Sequence, residues 1–152
     1  MEYLDARYES FTDAQVPNIV NGDLATDPLT GGNSTKSVDA SGNRAERSPL
    51  LTSTAQLRGL LPIATGNIST TATYYHNSGF FFDAGDEIQQ KAYNLANLYV
   101  QYAPQGNRWS VAAWINNAFN ATVLGGAAAS PYVMGGFLND PRLFGLSASV
   151  HY

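Results

Sequence analysis

The final eleven residues, Arg142 to Tyr152, read RLFGLSASVHY, and this segment restricts the chain to few folds. Phe144, Leu146, Ala148, Val150 and Tyr152 alternate with Gly145, Ser147, Ser149 and His151, and Leu143 is the only large apolar side chain outside the first row. Successive side chains of a strand point to opposite faces, so the segment offers one apolar face and one small, polar face. About ten residues, tilted, is also the length with which a β-strand crosses a bilayer. An edge strand of a soluble sheet can carry the same pattern, so the rest of the chain has to separate the two.

Five further stretches alternate in the same way. Glu2 to Phe11 sets Leu4, Ala6 and Tyr8 against Asp5, Arg7 and Glu9, and Leu50 to Leu61 sets Leu51, Ala55, Leu57 and Leu61 against Thr52, Thr54, Gln56 and Arg58. Asn67 to about Asn77 has two faces of nearly equal polarity; Ala92 to Tyr102 and Trp109 to Asn117 place Leu98 and Val100, then Val111 and Ile115, on one side. The connections matter more than any one strand. Residues 12–48, 78–90 and 118–141 are long and rich in Gly, Asn, Asp, Ser and Thr, whereas Pro62 to Asn67 and Ala103 to Arg108 are tight, Gly-containing turns. Long and short connections therefore alternate, as in outer-membrane barrels with short periplasmic turns and longer external loops. Tyr102, Trp109 and Tyr152 gather at the short-turn end, where an interfacial aromatic girdle belongs.

Composition removes other classes. With 12 acidic against 8 basic residues in 152, and no basic cluster, the chain lacks the concentrated positive face that nucleic acid requires. Without cysteine there is neither a disulfide framework nor a thiolate metal site. The opening MEYLDARYESF carries charges where a signal peptide needs an uninterrupted apolar run, and no stretch approaches the roughly 18 apolar residues of a spanning helix. Either the protein is cytosolic or its beginning is missing. Six strands are too few to close a membrane barrel, and an open sheet in hydrocarbon leaves backbone groups unpaired at several kcal/mol each. In water the same sheet exposes long edges and a broad apolar face. The expectation is a piece of a larger barrel, with more strands upstream of Met1.

Particular residues then resemble a known family. Gly42, Asn43, Arg44, Arg47, Ser48 and Pro49 leading into a strand, Tyr93 with Asn97, a strand from Trp109 to Asn117, and Pro141, Arg142 and Gly145 before Tyr152 are similar in order and spacing to the C-terminal end of TonB-dependent outer-membrane receptors. Nearly the whole chain is covered. Asn117, Ala118, Phe119 and Asn120 depart from the family's Asn-Leu-x-Asp element by losing its Leu and its Asp, and the plug and TonB-contacting box have no counterpart. The resemblance implies an all-β fold in which about six antiparallel transmembrane strands form the C-terminal part of a barrel of about 22 strands around a plug. It also implies a Gram-negative outer-membrane location and import of a scarce nutrient such as siderophore-iron, cobalamin or a glycan. The implied partners are outer-membrane lipid, the upstream barrel and plug, and TonB acting through the plug; a passive porin and a secreted β-sandwich binding module are the alternatives.

No catalytic, cofactor or metal site is expected. Phe81, Phe82, Asp83, Asp86 and Glu87, in the second long loop, are the candidates for ligand contact, although the Ca²⁺-loop pattern is absent. His76 and His151 stand apart from each other and from any nucleophile. Asp5, Arg7, Glu9 and Arg58 are expected to face the lumen, while Trp109, Asn117, Arg142, Gly145 and Tyr152 are the candidates for barrel structure and assembly.

Overall fold

The computed structural model describes residues 1–20, 23–26, 32–129 and 134–151, so Tyr152 lies outside the described residues. The described residues form strands β1 (Glu2–Tyr3), β2 (Ala14–Pro17), β3 (Ile19–Val20), β4 (Asp23–Leu24), β5 (Thr35–Val38), β6 (Leu51–Ile63), β7 (Gly66–Phe81), β8 (Gln89–Pro104), β9 (Trp109–Asn116), β10 (Leu124–Ala129), β11 (Met134–Leu138) and β12 (Leu143–Val150), and no helix. Six of them pair in the order β1-β6-β7-β8-β9-β12, every pairing antiparallel. This is the expected six-stranded meander, open at β1 and β12. The pairs β2–β5, β3–β4 and β10–β11 are small hairpins inserted in the long connections.

Register sorts the side chains. Leu57, Ala72, Leu98, Ile115 and Phe144 lie opposite one another strand by strand, as do Ile68 with Tyr102, and Val100 and Leu146 with Ala113. Because the period of a strand is two, these rows define one apolar face running across β6, β7, β8, β9 and β12. The other face carries Thr54, Gln56, Arg58, Ser69, Thr71, Thr73, Asn97, Gln101, Ser147 and Ser149, interrupted by Leu60, Leu95, Tyr99, Trp114 and Leu143. The ambiguous strand, β7, is resolved by its neighbours: Ile68, Ala72 and Tyr74 fall on the apolar side. Much of this face is bare, with Leu57 at 72% and Leu146 at 85% exposure, and among the described residues Phe119 packs on it edge-on at Tyr74.

The hydrophobic core is instead in the loops. Ala14, Val16, Ala40 and Ala84 are buried together, with Tyr8 and Val38 packed against them. β7 and β8 each have 16 residues, well beyond the roughly 9–11 that a tilted strand needs to cross a bilayer. Their surplus projects past the apolar face and carries this cap. Gly85 sits where a Cβ would meet Val16 Cγ1 at 2.8 Å, and the Asn43 amide donates to Ala84 O at 2.9 Å, so the first and second long loops pack as one body.

Several boundaries differ from expectation. The first strand is regular only over Glu2–Tyr3, although Ala6 O accepts from Ala45 N, Tyr8 N donates to Asn43 O while Tyr8 O accepts from Gly42 N, and Ala40 N donates to Phe11 O. The strand breaks because its partner detours at Arg47, whose φ is 55°, to donate from its backbone N to Phe81 O. The expectation that Asp5, Arg7 and Glu9 line a lumen in strand register is corrected accordingly. Arg7 bonds Asp5 at 2.8 Å and donates to Gly42 O at 2.9 Å on the exposed surface of the loops. The second long loop is also shorter than 78–90, since pairing continues to Phe81 and resumes at Gln89. Gly79 (φ 89°) permits this, because a Cβ there would lie 2.7 Å from Gln90 O. Pro62 belongs to β6 opposite Asn67, so the turn is tighter than Pro62 to Asn67.

Candidate functional site

The loop at the end of β7 is a built scaffold. Asp83 accepts from Ile88 N at 2.6 Å, Gly85 N at 3.0 Å and Glu87 N at 3.1 Å, which satisfies amides that a tight loop otherwise leaves unpaired. Glu87 pairs with Lys36 of β5 at 2.5 Å, tying the second loop to the first. Phe82 is buried, stacks edge-on with Phe80 at 5.1 Å, and lies beneath the Arg47 guanidinium at 5.2 Å. Of the five residues expected to contact ligand, Asp83 thus holds its own loop in shape, while Phe82 and Glu87 join that loop to the first one. Phe81 and Asp86 remain half-exposed.

Asp86 is the strained member. Its φ is 60°, and its Oδ1 is shielded with no hydrogen-bond partner although the residue as a whole is half-exposed. Burial, and then the neighbouring Asp83 charge, push its carboxyl above the usual range, while Arg44 and Arg7 pull the other way. Among the described residues no group of three or more His, Asp or Glu side chains converges as a metal site.

Of the residues expected to shape the barrel, Asn117, Arg142 and Gly145 gather towards one corner, where β8, β9 and β12 meet the third long connection, while Trp109 lies at the other end of the sheet. Asn97 on β8 accepts from Asn117 N at 2.9 Å. Asn117 is buried and left-handed (φ 49°), and its amide donates to Ala121 O at 2.9 Å and Asp140 O at 3.3 Å while accepting from Ala121 N. Asn120, also left-handed, accepts from Arg142 N at 3.0 Å. The Asn120 amide oxygen thus supplies the corner's acceptor for Arg142 N where the resembled element carries an Asp. Gly145 stands opposite Trp114, whose ring would lie 2.6 Å from an added Cβ, so the missing side chain makes room for the indole. At the opposite end Trp109 stacks edge-on with Tyr102 at 5.7 Å, and the Tyr102 hydroxyl donates to Thr65 O.

His76 is less isolated than its sequence position suggests. It lies opposite Asn94, and its Nδ1 is 2.7 Å from Asn94 Oδ1, which also accepts from the Tyr74 hydroxyl at 2.8 Å. The i, i+2 spacing of Tyr74 and His76 puts both on one face of β7, and that was the available signal. Its partner on β8 could not be read without the register.

A wall of β-strands with one bare apolar face, one polar face, short turns at one end and packed loops at the other defines a section of β-barrel. No family model matches the sequence, and no curated protein matches it significantly. Solved structures do. The chain is similar to the ferric yersiniabactin uptake receptor FyuA of Yersinia pestis, with a TM-score of 0.66 and 13% identity over 78% of this chain and 19% of that one. It is likewise similar to BauA, the ferric preacinetobactin receptor of Acinetobacter baumannii, with a TM-score of 0.57 and 19% identity over 72% of this chain and 16% of that one. The chain thus spans less than a fifth of the length of either receptor, and the likeness shows the fold: an open section of a receptor-type β-barrel.

Proposed function

We propose that this chain forms part of an outer-membrane, TonB-dependent receptor that imports a scarce nutrient, with a ferric siderophore the leading substrate class. The observation that carries the reading is the continuous apolar face of the six-stranded sheet, joined to its likeness to two ferric-siderophore receptors. In this reading the apolar face meets lipid, the polar face looks into a lumen filled by a plug, and the remaining wall and the TonB contact come from sequence beyond this section. The protein catalyses no reaction and needs no cofactor. Phe81, at the end of β7, and Asp86, in the second loop, are the half-exposed candidates left to meet a ligand, and the corner around Asn117 holds the loops over the barrel mouth.

Uptake of radiolabelled ferric siderophores, cobalamin and oligosaccharides in cells with and without the chain tests the reading. Uptake of one of these should be lost on deletion and should also stop when the proton-motive force is collapsed. Flux that persists without that force would indicate a passive porin, and a chain found only in the secreted fraction would indicate a binding module.

A further inference from the structure

At the loop end of the sheet, both walls of one groove are anchored to the long strands. On one side Arg47 leaves strand geometry (φ 55°), donates its backbone N to Phe81 O and lays its guanidinium over the buried Phe82 ring at 5.2 Å. On the other side stands the β10–β11 hairpin. Its root is tied to β8, because the Oε1 of the buried Gln90 accepts from Leu124 N at 2.6 Å, and Asn139 N closes the root by donating to Val123 O. The groove between the two has a volume of about 430 Å³ and is lined by Arg47, by the Gly and Ala residues 126–128 and 135–136, and by Phe137. That volume is within the range of pockets that hold small molecules.

Charge in the groove is unbalanced. Among the described residues the Arg47 guanidinium has no hydrogen-bond or ion-pair partner, and no acidic side chain lines the groove; Asp5 is paired with Arg7 and Glu87 with Lys36. Stacking on Phe82 covers one face of the cation and leaves its planar fork of N–H donors at the edge, a geometry that a carboxylate matches with two parallel bonds. The hairpin wall offers backbone and methyl groups, against which an aromatic ring can lie flat. Phe137 ends the wall with an exposed ring, packed so closely on Gly126 that an added Cβ there would meet it at 2.6 Å. A ring on the wall meets this one in an offset or edge-on contact.

We propose that this groove binds a small aromatic carboxylate, its carboxylate paired side-on with the Arg47 guanidinium and its ring laid on the Gly and Ala wall against Phe137. An inorganic anion satisfies only the cation, an uncharged ring only the wall, and a saturated carboxylate loses the flat contact. Neither Phe81 nor Asp86 takes part, so the site is additional to the ligand contacts put forward for the second loop. It requires only that the loop end of the sheet meets water.

The test is a fluorine NMR titration of 4-fluorobenzoate against the intact folded protein containing this chain, in a non-ionic detergent. Benzoate should displace the probe, while benzamide, cyclohexanecarboxylate and inorganic phosphate should each compete about tenfold more weakly. Arg47→Gln, which keeps the backbone N–H and removes the charge, should weaken binding about tenfold, and Arg47→Lys, which keeps the charge and loses the planar fork, should restore it only in part. Ala127→Leu, which fills the groove and leaves Arg47 in place, should weaken binding by a similar factor. Either Arg47→Gln or Ala127→Leu, once shown to keep the parent's circular dichroism, is sufficient to decide. Undiminished binding by such a variant, competition by benzamide, cyclohexanecarboxylate or phosphate as strong as that by benzoate, or no binding of 4-fluorobenzoate by the unaltered protein overturns the proposal. These outcomes leave the transport reading untouched, since that reading stands or falls on uptake.

Discussion

Leu146 and Ser147 are adjacent, near the middle of β12, yet register assigns them to opposite environments. Leu146 lies opposite Ala113 on the apolar face, and Ser147 lies opposite Ala112 on the polar face. Both are exposed within the chain, so neither substitution creates a steric clash that would obscure the comparison. In a membrane barrel, Arg at the lipid face near the midplane costs about 2–4 kcal/mol, whereas on the lumen face water or plug solvates it. Leu146→Arg should therefore lower the folding equilibrium roughly 30- to 700-fold, and Ser147→Arg should change it little. The assay is guanidinium unfolding of the parent barrel in phospholipid vesicles, followed by tryptophan fluorescence. Equal destabilisation by the two substitutions would refute the assignment of faces and the lipid-facing reading with it.

Other outcomes follow from the corner and the cap. Gly145→Ala should destabilise by about 1–3 kcal/mol through its contact with Trp114, and by clearly less in a Trp114→Leu background; equal penalties in a double-mutant unfolding series would exclude that contact as the cause. Asn117→Ala gives up three hydrogen bonds and a tolerated left-handed residue and should cost about 2–4 kcal/mol, while Asn120→Asp, which keeps an acceptor for Arg142 N, should be nearly neutral by the same denaturation assay. Asp86 has a folded-state pKa raised above its unfolded value, so between those two values the folded state holds more protons and stability falls as pH rises. Hydrogen exchange of residues 82–88 should accordingly speed up as pH is raised out of the acid range, after correction for intrinsic exchange, and Asp86→Asn should remove that dependence.

Much of the architecture was legible because register has period two and each strand of the sheet had to keep one apolar row. Trp109 and Leu143 begin their strands within a residue of expectation, and the alternation of long and short connections is present in the fold. The loops were not legible. The strands within residues 12–48 are only two to four residues long, too short for alternation to register, and β10–β11 is assembled mostly from Gly and Ala, with Leu124, Met134, Phe137 and Leu138 its only large apolar residues. The first strand fails for the opposite reason: alternation from Leu4 to Glu9 persists although Arg47 pulls its partner segment away toward Phe81. For the candidate site, the residue types of the second loop were visible, but Asp83 spends its oxygens on three backbone amides, a role fixed by a conformation that composition does not encode. The corner motif was readable as a pattern, and its function emerged only when Asn97, Asn117, Asn120 and Arg142 were brought together.

These 152 residues contain no cysteine, so cysteines placed among them report their own positions. Single cysteines at successive positions from Ala96 to Gln101 on β8, spin-labelled in the parent protein reconstituted in lipid vesicles, report accessibility to oxygen from the bilayer and to a nickel chelate from water. Ala96, Leu98 and Val100 should be open to oxygen and closed to the chelate, with Asn97, Tyr99 and Gln101 showing the reverse, in a strict two-residue alternation. Uniform accessibility to the chelate along the strand, or alternation of the opposite phase, would contradict the account of this sheet as a membrane-barrel wall.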